Sequence, residues 1–164
     1  MKGKVLVACV GNIFLGDDAF GVEVAQRLAG TELPHHVVVR DFGIRSYDLA
    51  YALMESWDLV ILVDAVPQGG LPGTVYTIEP ELPEGADSTQ ALDAHTMNPV
   101  AVLQLVSALG GRVERMLVVG CEPQTTAADE TGNIGLSPAV QAAMDETIRT
   151  IQQLVIANAK STAA

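Results

Sequence analysis

The chain is poor in basic residues: it has 9 lysines and arginines against 20 aspartates and glutamates, which gives a formal net charge of -11. A surface of this sign repels phosphate backbones and anionic lipid headgroups. Long hydrophobic runs are also missing, because no apolar stretch reaches the roughly 18 residues that a membrane span requires. We therefore expect neither nucleic acid nor a membrane among the partners of this protein.

Aromatic residues and cysteines are scarce as well. Aromatics make up 4% of the chain, and its apolar content is mostly valine, leucine, isoleucine and alanine, a bias that suits a parallel sheet buried on both faces. The 2 cysteines, Cys9 and Cys121, lie in or at the end of predicted strands. We interpret them as buried thiols in a reducing compartment, and favour this for Cys121 over a soft metal ligand or a nucleophile. A cytoplasmic location is expected.

What the sequence does contain is a regular alternation of apolar runs with amphipathic segments. Continuous apolar runs predict strands at 4–10, 36–40, 59–63, 74–78 and 115–120. Helical periodicity predicts helices at about 19–28, 47–54 and 97–109, and a long final helix that is capped by Ser137. The glycine- and proline-rich connection between the third and fourth strands is too short for a parallel crossover, so the fourth strand should be antiparallel, at an edge.

This alternation predicts an α/β fold: a three-layer doubly wound sheet of about five strands, mostly parallel with one antiparallel edge strand, and helices on both faces. At 164 residues the chain is long enough for one domain with a sizeable core. We expect a single domain over 1–157 and a flexible C-terminal tail over 158–164.

Polar residues follow the predicted strands where such folds place their sites. Asp17 and Asp18 lie in the loop after the first strand, Asp64 closes the third, and His95 precedes the helix that leads to the last strand. The carboxyl ends of parallel strands share one edge of the sheet, so these groups should converge there. Two carboxylates and an imidazole suit a divalent cation such as nickel, manganese, iron or zinc, and they leave open coordination positions. The same groups without metal could perform general acid/base catalysis.

Each of these residues also has a structural interpretation. Asp17 or Asp18 could cap the first helix, Asp64 could be a turn residue, and His95 could simply form a structural hydrogen bond. His35 and His36, at the start of a strand, are predicted to lie at the opposite edge and to be structural.

Four segments resemble one known family, in order along almost the whole chain. They are VGNIFLGDDAFG at 10–21, LVILVDAV at 59–66, DAHT at 93–96 and GCEP at 120–123. The first resembles the N-terminal signature of the hydrogenase maturation proteases, the endopeptidases that trim the C-terminus of the [NiFe]-hydrogenase large subunit. The segment DFGIRS at 41–46 only partly matches the family's D-G-G-T-x-G loop, which is expected to help select the partner.

The resemblance implies a five-stranded sheet and a metal-binding trio that falls on Asp18, Asp64 and His95, with Asp17 as a competitor for the first position. It also implies a substrate: the large-subunit precursor already loaded with nickel, cut just after its C-terminal metal-binding motif. Nickel would then be supplied by the substrate, and no organic cofactor is expected. Two non-enzymatic alternatives remain at this point, a receiver-like α/β domain and a metal carrier.

Overall fold

The computed structural model describes residues 3–81, 99–124 and 134–163. These residues form five strands: β1 (Val5–Val10), β2 (Val37–Gly43), β3 (Leu59–Ala65), β4 (Val75–Ile78) and β5 (Met116–Cys121). They also form five helices: α1 (Phe20–Ala29), α2 (Ser46–Leu53), α3 (Pro99–Ala108), α4 (Pro138–Ala142) and α5 (Met144–Ala163). A short 3-10 turn, Gly16–Ala19, leads into α1.

The strands build one sheet in the order β2-β1-β3-β5-β4. Neighbouring strands are parallel except β4, which pairs antiparallel with β5 at the edge. The predicted fold class is therefore confirmed. The apolar runs of β1 and β5 are buried throughout because these strands are flanked on both sides by other strands and covered on both faces.

Helices cover both faces of the sheet and create two cores. On one face, alternate residues of β1 pack with the apolar sides of α1 and α5. The other residues of β1 face the opposite core, which α2 and α3 cover. This two-sided burial leaves the central strands β1, β3 and β5 open to solvent only at their ends. Doubly wound folds place their sites at the carboxyl ends of such strands.

Gly21 allows α1 to lie very close to the sheet. A Cβ atom at this position would overlap the carbonyl oxygen of Val10 and would approach that of Val63 to 2.6 Å. Helix α1 therefore starts directly above the carboxyl ends of β1 and β3, which fixes the preceding 3-10 turn at the same edge.

The C-terminal segment differs from the prediction in two ways. The expected single helix is divided at Ala143 into α4 and α5, and α5 continues to Ala163 instead of ending near Ala157. The residues after Ile156 include no large apolar side chain, so hydrophobic periodicity gives no sign of this last turn. It is nevertheless packed, since Asn158 is buried and Thr162 bonds back to its carbonyl.

Within the described ranges, no helix is long and apolar enough to cross a membrane.

Candidate active site

Asp64 lies at the carboxyl end of β3, where the central strands open towards solvent. It pairs in register with Gly120 of β5, and its side chain is almost completely buried. The backbone N–H of Ala65 donates a hydrogen bond of 2.8 Å to Asp64 Oδ1. The predicted position of this residue at the end of the third strand is confirmed, and β3 holds its carboxylate in a fixed place.

Asp18 is placed at the same edge by the 3-10 turn that follows β1. The turn is closed by two backbone hydrogen bonds of 3.0 Å, from Asn12 to the carbonyl of Asp18 and from Asp18 to the carbonyl of Leu15. Only glycine fits at position 11, since a Cβ atom there would overlap the carbonyl oxygen of Asp18. Asp18 remains half-buried and reaches solvent.

The two aspartates interact electrostatically. Burial, and then the negative charge of Asp18, raise the pKa of Asp64 well above its usual range, although the Ala65 N–H opposes this. Burial also raises the pKa of Asp18, against the lowering effect of the Asn12 N–H. Two carboxylates that destabilise each other's charge form a favourable environment for a cation. Their oxygen atoms fit a divalent metal, although the described residues alone do not form a group of three potential ligands.

Asp17 has a different role from its neighbour. Its carboxylate is buried and accepts hydrogen bonds from the Gln124 N–H (2.9 Å), the Ser137 N–H (2.7 Å) and the Ser137 hydroxyl (2.8 Å). These contacts tie the loop after β1 to the segment after β5 and to the start of α4. Because the oxygen atoms of Asp17 are engaged there, the geometry favours Asp18 as the residue that faces the site.

Glu122 is a residue at this edge to which the sequence assigned no role. It follows β5, is buried, and accepts hydrogen bonds from Gln68 N–H (2.8 Å), Gly69 N–H (3.1 Å) and the Tyr76 hydroxyl (2.9 Å). Burial alone would raise the pKa of Glu122, but these bonds outweigh it and lower the pKa. Glu122 therefore fixes the loop after Asp64. The feature of the sequence that could have indicated this role is the position of Glu122, an acidic residue directly after a buried strand.

The cysteines are buried and free, as predicted. Burial, reinforced by the charges of Asp17, Glu122 and Glu146, raises the pKa of Cys121 to about 12. Burial and the charge of Asp41 also raise the pKa of Cys9. Both side chains are consequently thiols at neutral pH, and neither has the thiolate character of a nucleophile.

Of the histidines considered in the sequence, His36 is described by the structure and His95 is not. His95 lies outside the described residues, so its position in the site stays a prediction. His36 lies at the start of β2, where its carbonyl accepts a hydrogen bond from the Val5 N–H, at the edge opposite to Asp18 and Asp64.

The chain as a whole resembles known proteins. The family model for hydrogenase maturation protease matches residues 22–154. The chain belongs to the hydrogenase maturation protease family. It is therefore an endopeptidase, and the receiver-like and metal-carrier alternatives are wrong.

Individual relatives of this maturation protease support the same conclusion. A Methanocaldococcus jannaschii protein that carries the provisional name of hydrogenase maturation protease is 32% identical, over 92% of this chain and 95% of its own length. The Escherichia coli hydrogenase 2 maturation protease is 29% identical, over 90% of this chain and 88% of its own length.

A solved structure of a maturation protease also has the same fold. The hydrogenase maturating endopeptidase HybD from E. coli superposes with a TM-score of 0.72 at 28% identity, and the match covers 92% of this chain and 90% of that one. The likeness therefore covers most of this chain and supports the same fold.

Proposed function

We propose that this maturation protease removes the C-terminal extension of a nickel-loaded [NiFe]-hydrogenase large-subunit precursor, and that Asp18, Asp64 and His95 recognise the nickel. The observation that carries the proposal is the position of Asp18 and Asp64. The 3-10 turn after β1 and the carboxyl end of β3 bring them close enough for the charge of Asp18 to raise the pKa of Asp64. Relatives named as hydrogenase maturation proteases support the choice of substrate.

The chemistry of the three side chains agrees with this role. Two carboxylates and one imidazole are ligands that a divalent first-row metal accepts, and they leave coordination positions free. Nickel belongs to the precursor and reaches the site as part of the substrate. When bound, it would supply Lewis-acid polarisation of the scissile carbonyl or of a water. Asp64, fixed by β3 and by the Ala65 N–H, would orient the metal, and Asp18 would complete the anionic side.

The reaction would take place in the cytoplasm. This part of the proposal rests on the buried, free thiols of Cys9 and Cys121, which suit a reducing compartment.

The proposal is tested by incubating the purified protein with nickel-loaded and with nickel-free precursor. Mass spectrometry of the released peptide is the readout. We expect cleavage of the nickel-loaded form alone, and loss of cleavage in Asp64→Asn and His95→Ala. Asp145→Asn is the matched control, because Asp145 is exposed on α5 and pairs only with Arg27 among the described contacts. Equal cleavage of the nickel-free precursor would refute the proposal that Asp18, Asp64 and His95 recognise nickel in the substrate.

A further inference from the structure

Large apolar side chains are exposed in the loops around the site. Among the described residues, the strongly exposed apolar side chains outside the helices and their ends lie in loops at the edge of Asp18 and Asp64. They are Ile13 (46% exposed), Phe14 (63%), Ile44 (63%), Leu71 (81%) and Ile134 (81%). We call these five residues the apolar rim. Single exposed apolar residues carry little meaning, whereas a group around one site indicates a binding surface.

The loops on the β1 and β2 side of the rim are held in place by polar side chains. Asn12 Oδ1 accepts a hydrogen bond of 3.0 Å from the Phe14 N–H. Arg45 donates to the carbonyls of Asp41 (2.6 Å) and Phe42 (3.1 Å), which fixes the turn that carries Ile44. The exposure of Phe14 and Ile44 is therefore built into ordered loops.

A groove of about 510 Å³ lies between these two loops. Ile13, Phe14 and Ile44 line it together with Gly11, whose neighbouring turn carries Asp18. The groove therefore adjoins the turn that carries Asp18, and it is large enough to receive side chains of a bound protein.

Leu71 and Ile134 lie on the other side of the site. The loop that carries Leu71 is held by the Glu122 carboxylate at Gln68 and Gly69, and the Thr74 hydroxyl donates a bond of 2.7 Å to the Leu71 carbonyl. Ile134 precedes Ser137, which is bound to Asp17. Rigid presentation lowers the entropic cost of association, which is expected of a docking surface.

We propose that the apolar rim is the surface on which the folded large-subunit precursor docks. This inference rests on the proposed function. A folded protein whose chain is cut beside Asp18 and Asp64 must lie against the loops that surround them. These are the loops that carry the residues of the apolar rim. The partner face should be apolar and free of acidic clusters, because this chain carries a net charge of -11.

The test compares Phe14→Ala, Leu71→Ala and their double variant with Ile156→Ala. Ile156 is the control, an exposed apolar residue on the second half of α5, away from this edge. Binding of nickel-loaded precursor is measured by interferometry in a His95→Ala background, and kcat and KM are measured with His95 present. Each rim variant should weaken Kd about tenfold. The double variant should weaken it about a hundredfold, because Phe14 and Leu71 lie on opposite sides of the site and their effects should add. KM should rise while kcat is retained, and Ile156→Ala should match its parent.

The outcomes separate this inference from the proposed function. If the wild-type protein binds the precursor but does not cut it, and rim variants lose binding, the cleavage proposal fails and the docking surface stands. Unchanged precursor binding in the double variant would overturn the docking surface even if cleavage is efficient. Light scattering tests whether the rim instead binds a second copy of this chain. If rim variants change only the oligomeric state, the rim joins copies of this chain and the inference is wrong.

Discussion

Asp17 and Asp18 are adjacent, chemically identical and near the same site, yet their surroundings differ completely. The 3-10 turn directs the carboxylate of Asp17 towards Gln124 and Ser137, while Asp18 stays beside Asp64. Sequence alone could not separate them, because the donors that bind Asp17 lie more than a hundred residues further along the chain. Distant backbone donors decide the role of each residue.

The difference between Asp17 and Asp18 predicts opposite effects on stability. Asp17→Asn replaces one of the two oxygens that accept these bonds by an NH2 donor, so at least one of the three donors loses its acceptor. We expect a loss of about 1–3 kcal/mol in the free energy of unfolding. Asp18→Asn removes a charge that repels Asp64 and should leave stability unchanged or slightly higher. Urea titrations of the two variants measure this. Equal destabilisation by both would mean that Asp18 also has a structural role.

Asp64 should make stability depend on pH in the metal-free protein. Its raised pKa means that the folded state keeps a proton that the unfolded state releases, so stability falls as pH rises through the raised pKa. Below the ordinary value of 3.8 both states are protonated and this cost disappears. Asp64→Asn should therefore be more stable than wild type at neutral pH, with the difference fading on acidification.

The measurement is urea unfolding of both proteins in the presence of a chelator, from about pH 4 to about pH 8. Asp145→Asn serves as control, since Asp145 is exposed and its loss should give no comparable trend. A stability difference between Asp64→Asn and wild type that grows on acidification would contradict the assigned environment of Asp64.

At the level of elements, the strands were predictable and the last helices were not. The predicted strands agree with the structure to within three residues at either end, because each strand is built on an apolar run. The break at Ala143 and the continuation of α5 to Ala163 depend instead on tertiary contacts of small and polar residues. Hydrophobic periodicity does not record such contacts.

The contact of α1 with the sheet predicts a sharp contrast between two glycines. Gly21→Ala would press a Cβ atom against the carbonyl oxygens of Val10 and Val63 and should cost at least about 1–3 kcal/mol, as overpacking does. Gly30→Ala is the matched control, because its Cβ would be in ordinary van der Waals contact, 3.7 Å from the carbonyl oxygen of Arg27. Thermal unfolding compares the variants. A tolerated Gly21→Ala would show that α1 can shift without loss.

For the molecule as a whole, the strand topology predicts which edge carries Asp18 and Asp64, whereas long-range contacts determine the structure of that edge. The rule that parallel strands share a carboxyl edge was enough to bring Asp18 and Asp64 together. It could not predict that Glu122 holds the loop after Asp64, because that depends on the antiparallel pairing of β4 with β5, which places Tyr76 beside it.

The composition of the site predicts modest intrinsic metal affinity. The chain lacks an HExxH segment, and Asp18, Asp64 and His95 would offer one nitrogen and two carboxylates at an open edge. We expect the purified protein to retain little metal after dialysis, as measured by elemental mass spectrometry. Nickel-loaded precursor should then raise the retained nickel to one per complex. Stoichiometric zinc in the protein alone, together with cleavage of nickel-free precursor, would show a resident-metal mechanism.

The hydrogen bonds that Glu122 accepts prevent this edge from binding phosphate-containing ligands. Successive N–H groups of Gln68, Gly69 and Gly70 converge on its carboxylate, and such a backbone nest is the feature with which many doubly wound proteins bind phosphate. Here these N–H groups already bind the carboxylate of Glu122, which occupies the position that a phosphate would take. Nucleotides and inorganic phosphate should consequently leave the melting temperature unchanged, because the N–H groups that would bind them are already occupied by Glu122.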